Sequence, residues 1–128
     1  MSRILVVDDD EQLGRSIARV LEREGHETRI AEDLRLAETF TEYRPDLVVV
    51  ELQTSWVGAL PSLRERFEAV ARRPTPFVCT VGRRELYRSI APAFAVVDDW
   101  LAKPFDPEEL ATRVDTVLRR SASATARI

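Results

Sequence analysis

Near the start of the sequence stands Arg3-Ile4-Leu5-Val6-Val7-Asp8-Asp9-Asp10, an apolar run that ends abruptly in three aspartates. Apolar residues then recur at helical spacing as far as Gly25, at Leu13, Ile17, Val20 and Leu21. This pattern predicts a strand, an acidic turn and a helix that is closed by glycine. A strand that leads through a short turn into a helix is the repeating unit of α/β proteins.

The rest of the chain repeats this alternation. Further strands are predicted at 28–31, 46–52, 76–81 and 95–101, and further helices at 34–41, 60–70, 85–90 and 107–120. Leu47-Val48-Val49-Val50 is apolar on both faces, which is typical of a central strand in a parallel sheet. Strands and helices that alternate at this spacing predict an α/β fold, in which helices cover both faces of a five-stranded parallel sheet.

Length and composition indicate a single domain. The chain has 128 residues, of which 45% are hydrophobic and 32% are charged, as in an ordinary globular domain. We expect the domain to cover residues 1–120 and the small, polar segment 121–128 to form a flexible tail or the start of a linker.

No apolar run approaches the ~18 to 20 residues that span a membrane, and the start does not have the pattern of a signal peptide. We therefore expect a cytoplasmic protein.

Charge and cysteine content argue against several classes of function. The net charge of −3 argues against direct binding to nucleic acid. Cys79 is the only cysteine and His26 is the only histidine, so zinc, haem and iron–sulfur sites are not expected. Cys79 lies in an apolar strand and is expected in the core. His26 follows Gly25 at a helix end and is expected to be exposed.

Charged side chains follow three of the predicted strands. Asp8 and Asp9 end the first strand, Glu51 ends the third and Lys103 follows the fifth. Because the carboxyl ends of parallel strands meet at one edge of a sheet, these side chains are expected to converge. Three carboxylates near one point repel one another unless a cation or a proton intervenes, and a hard divalent cation such as Mg²⁺ suits them. Lys103, the only lysine among 19 basic residues, could neutralise a carboxylate or a phosphoryl oxygen there.

Simpler explanations exist for the same residues. Aspartates at 8–10 suit the start of a helix, where one side chain caps the backbone and the others favour the positive end of the helix dipole. Lys103 could equally be a solvated loop lysine.

Three blocks of the sequence resemble the receiver domains of two-component response regulators. They are Ile4 to Asp10, Arg44-Pro45-Asp46-Leu47-Val48-Val49-Val50, and Asp98-Asp99-Trp100-Leu101-Ala102-Lys103-Pro104-Phe105. The resemblance covers roughly residues 3–120. It implies a flavodoxin-like (βα)5 three-layer sandwich with strand order 2-1-3-4-5, and a signalling domain of a phosphorelay rather than an enzyme.

The resemblance also implies roles for individual residues. In that family an acidic pair holds Mg²⁺, and an aspartate at the end of the third strand accepts a phosphoryl group from a histidine kinase. A Ser/Thr and an aromatic residue transmit the change. Carried over, Asp8 and Asp9 match the acidic pair, Lys103 matches the phosphate-pocket lysine and Trp100 matches the aromatic switch. The peptide bond between Lys103 and Pro104 is expected to be cis, as is usual in the family.

The sequence departs from the family at important positions. Glu51 stands where the family has its phosphoacceptor aspartate, and one extra methylene displaces the carboxylate by more than ~1 Å, which impairs in-line attack. Val81 stands where the switch Ser/Thr belongs; a one-residue slip would bring Thr80 there, but strand alternation favours Val81. Weak Mg²⁺ binding is expected, with Asp8, Asp9, Glu51 and the backbone carbonyl of Gln53 as ligands.

The sequence therefore predicts a degenerate receiver, or pseudo-receiver, that binds protein partners and is not phosphorylated in the usual way. The expected partners are a histidine kinase or a downstream output protein. A homodimer could form through the predicted helix 85–90, the predicted strand 95–101 and the predicted helix 107–120. Without a phosphoryl group, Glu51 is expected to reach Lys103 within ion-pair distance.

Other functions are kept as alternatives. A conventional receiver would accept a phosphoryl group with the help of Mg²⁺. A haloacid-dehalogenase-like phosphatase comes from another class, because Asp8-Asp9-Asp10 after a strand satisfies its Asp-x-Asp motif, although Gln12 stands where that family prefers threonine. An FMN-binding flavodoxin is less favoured, because an acidic first turn repels phosphate.

Overall fold

The computed structural model describes residues 1–82 and 96–126, which contain a five-stranded parallel sheet. The strands are β1 (Arg3–Val7), β2 (Glu27–Ala31), β3 (Leu47–Leu52), β4 (Phe77–Val81) and β5 (Asp99–Ala102). Their order in the sheet is β2-β1-β3-β4-β5, and each neighbouring pair is parallel. The predicted α/β fold and strand order 2-1-3-4-5 are confirmed.

Helices connect the strands and cover the sheet. They are α1 (Glu11–Arg23), α2 (Leu34–Glu38), α3 (Leu60–Ala71) and α4 (Pro107–Ala126), with short 3-10 turns at Thr41–Tyr43 and Val57–Ala59. The predicted helix at 85–90 lies outside the described residues. Among the helices of the described ranges, none is both long enough and apolar enough to cross a membrane.

Each face of the sheet packs against its own helices. On one face, Val48 of β3 belongs to the same core as Leu63 of α3. On the other face, Val49 belongs to a second core with Ile17 of α1 and Val114 of α4. Because β3 is buried on both faces, its sequence is apolar at successive positions and not only at alternate ones.

The structure differs from the sequence prediction at several boundaries. The helix predicted at 34–41 ends at Glu38, and the chain turns before β3 at Arg44, which has a φ of 53°. The last helix continues past residue 120 to Ala126, since the added residues are mostly alanine and serine and alanine is the best helix former. β5 begins at Asp99, later than the predicted residue 95, and the Asp98 carboxylate just before it accepts the N–H of Phe77 at 2.9 Å.

His26 is less exposed than the sequence indicated. Its Nδ1 accepts a hydrogen bond from the N–H of Ser2 at 3.2 Å, and its Nε2 lies 2.9 Å from Asp115 Oδ1 on α4. The side chain is only 11% exposed. The expectation of an exposed loop residue is wrong, because His26 joins the start of β2 to the N-terminus and to α4. Cys79 is buried, as predicted.

The parallel arrangement brings the charged residues to one edge of the sheet. Asp8 directly follows β1, Glu51 lies next to the last residue of β3, and Lys103 directly follows β5. The Lys103–Pro104 peptide bond is cis, as predicted. This carboxyl edge is where ligands and chemistry gather in open α/β sheets.

Two leucine substitutions test the packing of α3 on the sheet. Leu63 is 1% exposed, whereas Leu36 is 44% exposed. We expect Leu63→Ala to lower the free energy of unfolding by about 2–5 kcal/mol, because it leaves a cavity in the core. The matched control Leu36→Ala should lower it by less than about 1 kcal/mol. Urea unfolding followed by circular dichroism measures both, and equal losses would contradict the placement of α3.

Candidate functional site

Three carboxylates form a cluster at the carboxyl ends of β1 and β3. Asp8, Asp9 and Glu51 each offer an oxygen, and these oxygens lie within 4.8 Å of one another. Asp8 is buried at 2% exposure, Glu51 is partly buried and Asp9 is exposed. Asp10 does not join the cluster, because its Oδ1 accepts the N–H of Leu13 and caps α1. The simpler explanation of the acidic turn therefore applies to Asp10.

Lys103 lies between two of the carboxylates. Its Nζ donates to Glu51 Oε1 at 3.0 Å and to Asp8 Oδ2 at 3.4 Å. The expected ion pair between Lys103 and Glu51 is confirmed. One ammonium group offsets one negative charge, so further compensation is needed for the cluster.

The side chain of Gln53 also enters the site, which the sequence analysis did not predict. Its Nε2 donates to Asp9 Oδ2 at 2.7 Å and to Glu51 Oε2 at 3.1 Å. A sequence signal was available, because residues two apart in an extended segment point to the same side. Glu51 and Gln53 have this spacing.

The backbone carbonyl of Gln53, the expected metal ligand, already accepts hydrogen bonds within its own loop. It accepts the N–H groups of Trp56 and Val57, both at 3.0 Å. Two donors use both lone pairs of a carbonyl oxygen. The loop is closed further by Trp56, whose Nε1 donates to the backbone carbonyl of Glu51 at 2.6 Å. As a metal ligand, the Gln53 carbonyl would have to share its oxygen with the N–H groups of the loop.

The charged groups shift the pKa values of one another. Burial raises the pKa of Asp8 to about 6; the N–H of Asp10 opposes this rise, and the charge of Glu51 adds to it. Burial acts to raise the pKa of Glu51 as well, but hydrogen bonds from Lys103 and Gln53 outweigh it and lower this pKa. Burial acts to lower the pKa of Lys103, but its contacts with Glu51 and Asp8 raise it. The site thus favours a charged Glu51–Lys103 pair beside a carboxyl group that takes up a proton readily.

The donor types of the cluster fit Mg²⁺. Carboxylate oxygens are ligands that this ion prefers, and Asp8, Asp9 and Glu51 would hold it. When bound, Mg²⁺ would supply positive charge beside an incoming phosphoryl group. Each of the three carboxylates already accepts at least one N–H donor from the chain itself. An ion would therefore have to share or displace these donors.

The candidate switch residues lie on β4 and β5. Val81 packs in the same core as Leu52, its partner in the register of β3 and β4. Thr80 pairs with Glu51 in that register and is 1% exposed, and its hydroxyl has no hydrogen-bond partner within the described residues. Strand alternation turns Thr80 and Val81 to opposite faces. Trp100 on β5 is 37% exposed.

Removal of the Asp8 charge tests the electrostatics of the cluster. The pKa of Asp8 is about 6 in the folded chain, whereas its ordinary value, which applies to the unfolded chain, is 3.8. The folded chain therefore binds a proton at Asp8 more tightly than the unfolded chain does. The ionised carboxylate therefore costs stability above about pH 6, and this cost fades between about pH 6 and pH 4. We expect Asp8→Asn to stabilise the fold near pH 7.5 and to have little effect near pH 4. Urea unfolding at both pH values measures this, and an equal effect at the two would contradict the shift.

Comparison with known proteins found relatives among response regulators. The DNA-binding response regulator MtrA of Mycolicibacterium paratuberculosis is 34% identical over 120 residues, which are 93% of this chain and 52% of MtrA. The response regulator ArlR of Staphylococcus epidermidis is 31% identical over 121 residues, which are 94% of this chain and 54% of ArlR. The chain spans about half the length of these curated relatives. No family model matches the chain.

A solved structure has the same fold. The CheY-like response regulator receiver domain protein from Methanospirillum hungatei superimposes with a TM-score of 0.81 at 22% identity, over 97% of this chain and 98% of that one. The strand order and the edge at which Asp8, Glu51 and Lys103 converge are those expected of this fold. The chain is therefore similar in sequence to response regulators over more than nine tenths of its length, and it has the fold of a CheY-like receiver domain.

Proposed function

We propose that this receiver domain is degenerate, that it acts as a protein-interaction module, and that it is not phosphorylated in the usual way. The observation that carries the proposal is the environment of Glu51, which stands at the phosphoacceptor position. Its Oε1 accepts from Lys103 at 3.0 Å, and its Oε2 accepts from Gln53 at 3.1 Å and from the N–H of Asp9 at 3.3 Å. Both oxygens of the carboxylate are thus anchored by the chain.

Phosphoryl transfer makes a geometric demand that this arrangement opposes. The attacking oxygen has to lie in line with the leaving group, and a misplacement on the order of 1 Å can cost about 100-fold in rate. Glu51 has one methylene more than aspartate. Attack would also require Glu51 to give up charge-assisted hydrogen bonds, which are roughly twice as strong as neutral ones.

The response to a phosphoryl group would be weakened as well. Val81 has no hydroxyl with which to bond a phosphoryl oxygen. A ligand shifts an equilibrium between two conformations only through different affinities for them. The proposal is therefore that phosphorylation does not control Trp100, and that the surface around Trp100 is constant.

The proposed partner surface lies around β5 and α4. Trp100 is 37% exposed, and next to it Asp99 accepts from Arg113 of α4 at 3.1 Å. Aromatic residues and arginines are enriched in protein interfaces. The proposed occupants are a histidine kinase, a downstream output protein or a second copy of the chain. The predicted helix at 85–90, which would complete the homodimer surface, is outside the described residues.

The proposed domain is residues 1–120, and α4 continues beyond it to Ala126, so that 121–128 is proposed as the start of a linker that is helical as far as Ala126. The core on the α4 side includes Val117, with Leu118 packed against it, which supports a boundary shortly after these residues.

A cytoplasmic location is proposed for this domain. Direct binding to nucleic acid or to a membrane surface is not proposed, because the net charge is −3.

A conventional Mg²⁺-dependent receiver is the second candidate. The convergence of Asp8, Asp9 and Glu51 favours it, because the donor types fit the ion. A haloacid-dehalogenase-like phosphatase finds less support, since Asp10, the second aspartate of its motif, caps α1 through Leu13.

Intact-mass spectrometry after incubation with acetyl phosphate and Mg²⁺ tests the proposal. We expect the wild type to gain no phosphoryl group, because the Glu51 carboxylate is displaced and anchored. Glu51→Gln is the matched control, since it keeps the size of the side chain and removes the nucleophile. Glu51→Asp alone should restore little, because Val81, which has no hydroxyl, is unchanged.

A conventional receiver treated in parallel checks that the reagent is active. A stoichiometric gain of one phosphoryl group by the wild type, absent from Glu51→Gln, would overturn the proposal in favour of the conventional receiver.

A further inference from the structure

We infer that the side chain of Gln53 competes with Mg²⁺ for the carboxylate cluster, because its amide donates hydrogen bonds to oxygens that the cation would bind. The inference deepens the function proposed above and rests on it for its biological meaning. Gln53 affects the affinity of the cluster for Mg²⁺, and it acts by positioning and not by catalysis.

The first support is the geometry of the Gln53 amide. Nε2 lies 2.7 Å from Asp9 Oδ2 and 3.1 Å from Glu51 Oε2, so it bridges two of the three carboxylates that would hold the ion. An amide nitrogen has two hydrogens, one for each of these acceptors. Ionised carboxylates only accept hydrogen bonds, so the nitrogen and not the oxygen of the amide has to face them.

The second support is the way in which Lys103 completes the arrangement. Its Nζ bridges the other pair of carboxylates, with Glu51 at 3.0 Å and Asp8 at 3.4 Å. The amide and the ammonium group together give every carboxylate of the cluster a donor from a side chain. A divalent cation satisfies such a cluster by binding the same oxygens.

The third support is the loop that holds Gln53 in place. The carbonyl of Gln53 accepts the N–H groups of Trp56 and Val57 at 3.0 Å, and Trp56 Nε1 donates to the carbonyl of Glu51 at 2.6 Å. These bonds fix the backbone on both sides of Leu52. The backbone therefore holds the side-chain amide of Gln53 toward the cluster. The backbone carbonyl of Gln53 accepts hydrogen bonds within the turn.

The consequence is that Mg²⁺ has to displace two hydrogen bonds to charged acceptors before it can use Asp9 and Glu51 fully. Such bonds are among the stronger ones in proteins. Removal of the amide should leave the carboxylates in place, remove the competitor and raise the affinity for the ion.

Titration calorimetry with MgCl₂, without any phosphodonor, tests the inference on the full chain. Gln53→Met keeps the length of the side chain and has no N–H group, and we expect it to bind Mg²⁺ about tenfold more tightly than the wild type. Thr54→Ala is the matched control, since Thr54 is the exposed next residue of the same loop, and its affinity should equal that of the wild type. Gln53→Ala provides a second variant in case the methionine packs poorly.

Thermal unfolding gives an independent readout. In a chelator, Gln53→Met should unfold at a lower temperature than the wild type, because the carboxylates have lost a shared donor. Addition of Mg²⁺ should raise the midpoint more in Gln53→Met than in the wild type.

Equal or weaker Mg²⁺ binding by both Gln53 variants would overturn the inference, since it would mean that Gln53 is neutral toward the ion or turns its amide oxygen to serve as a ligand. That result would leave the proposed function standing. Phosphorylation of the wild type would overturn the proposed function and leave the titration result valid.

Discussion

Repulsion among Asp8, Asp9 and Glu51 is the constraint on which the arrangement of the site depends. Their oxygens lie within 4.8 Å of one another at the ends of β1 and β3, and like charges at this distance in a partly buried site require compensation. Lys103 supplies an ammonium group, Gln53 supplies an amide, and the pKa of Asp8 is raised to about 6. The ammonium group and the amide offset the excess of negative charge, whereas the raised pKa of Asp8 comes first from its burial, to which the charge of Glu51 adds.

The fold brings the three carboxylates together, but the packing of the sheet does not depend on them. β3 is buried on both faces, and the strands pack through Val48 and Val49 into two separate cores. The charged residues lie beyond these cores, at the carboxyl edge. A glutamate can therefore stand where the family has aspartate while the strand order is unchanged, because Glu51 adds its extra methylene at the open edge and not in the core. Fold and chemistry are separable in this domain, and the chemistry has to be argued from the site.

Sequence reasoning was most successful where one local pattern determines the outcome. The Lys103–Glu51 contact could be predicted because both residues lie at the carboxyl ends of parallel strands, whereas the strand order was implied by the resemblance to receiver domains. The spacing of two residues from Glu51 was a signal for the side chain of Gln53, but its contact with the cluster also depends on how the loop closes through Trp56, for which there is no periodic signal. The burial of His26 was missed for a related reason, since its partner on α4 is 89 residues away in the sequence.

The charge state of Lys103 tests the central claim most directly. Lys103 is the only lysine of the chain, so isotope labelling of lysine gives a single side-chain signal whose pH titration can be followed by NMR. The account predicts a pKa above the ordinary value of 10.5, because Glu51 and Asp8 stabilise the ammonium group, and it predicts that Glu51→Gln lowers this pKa. A wild-type lysine that titrates at or below 10.5 and does not respond to Glu51→Gln would contradict the ion pairing of Lys103 with the carboxylate cluster.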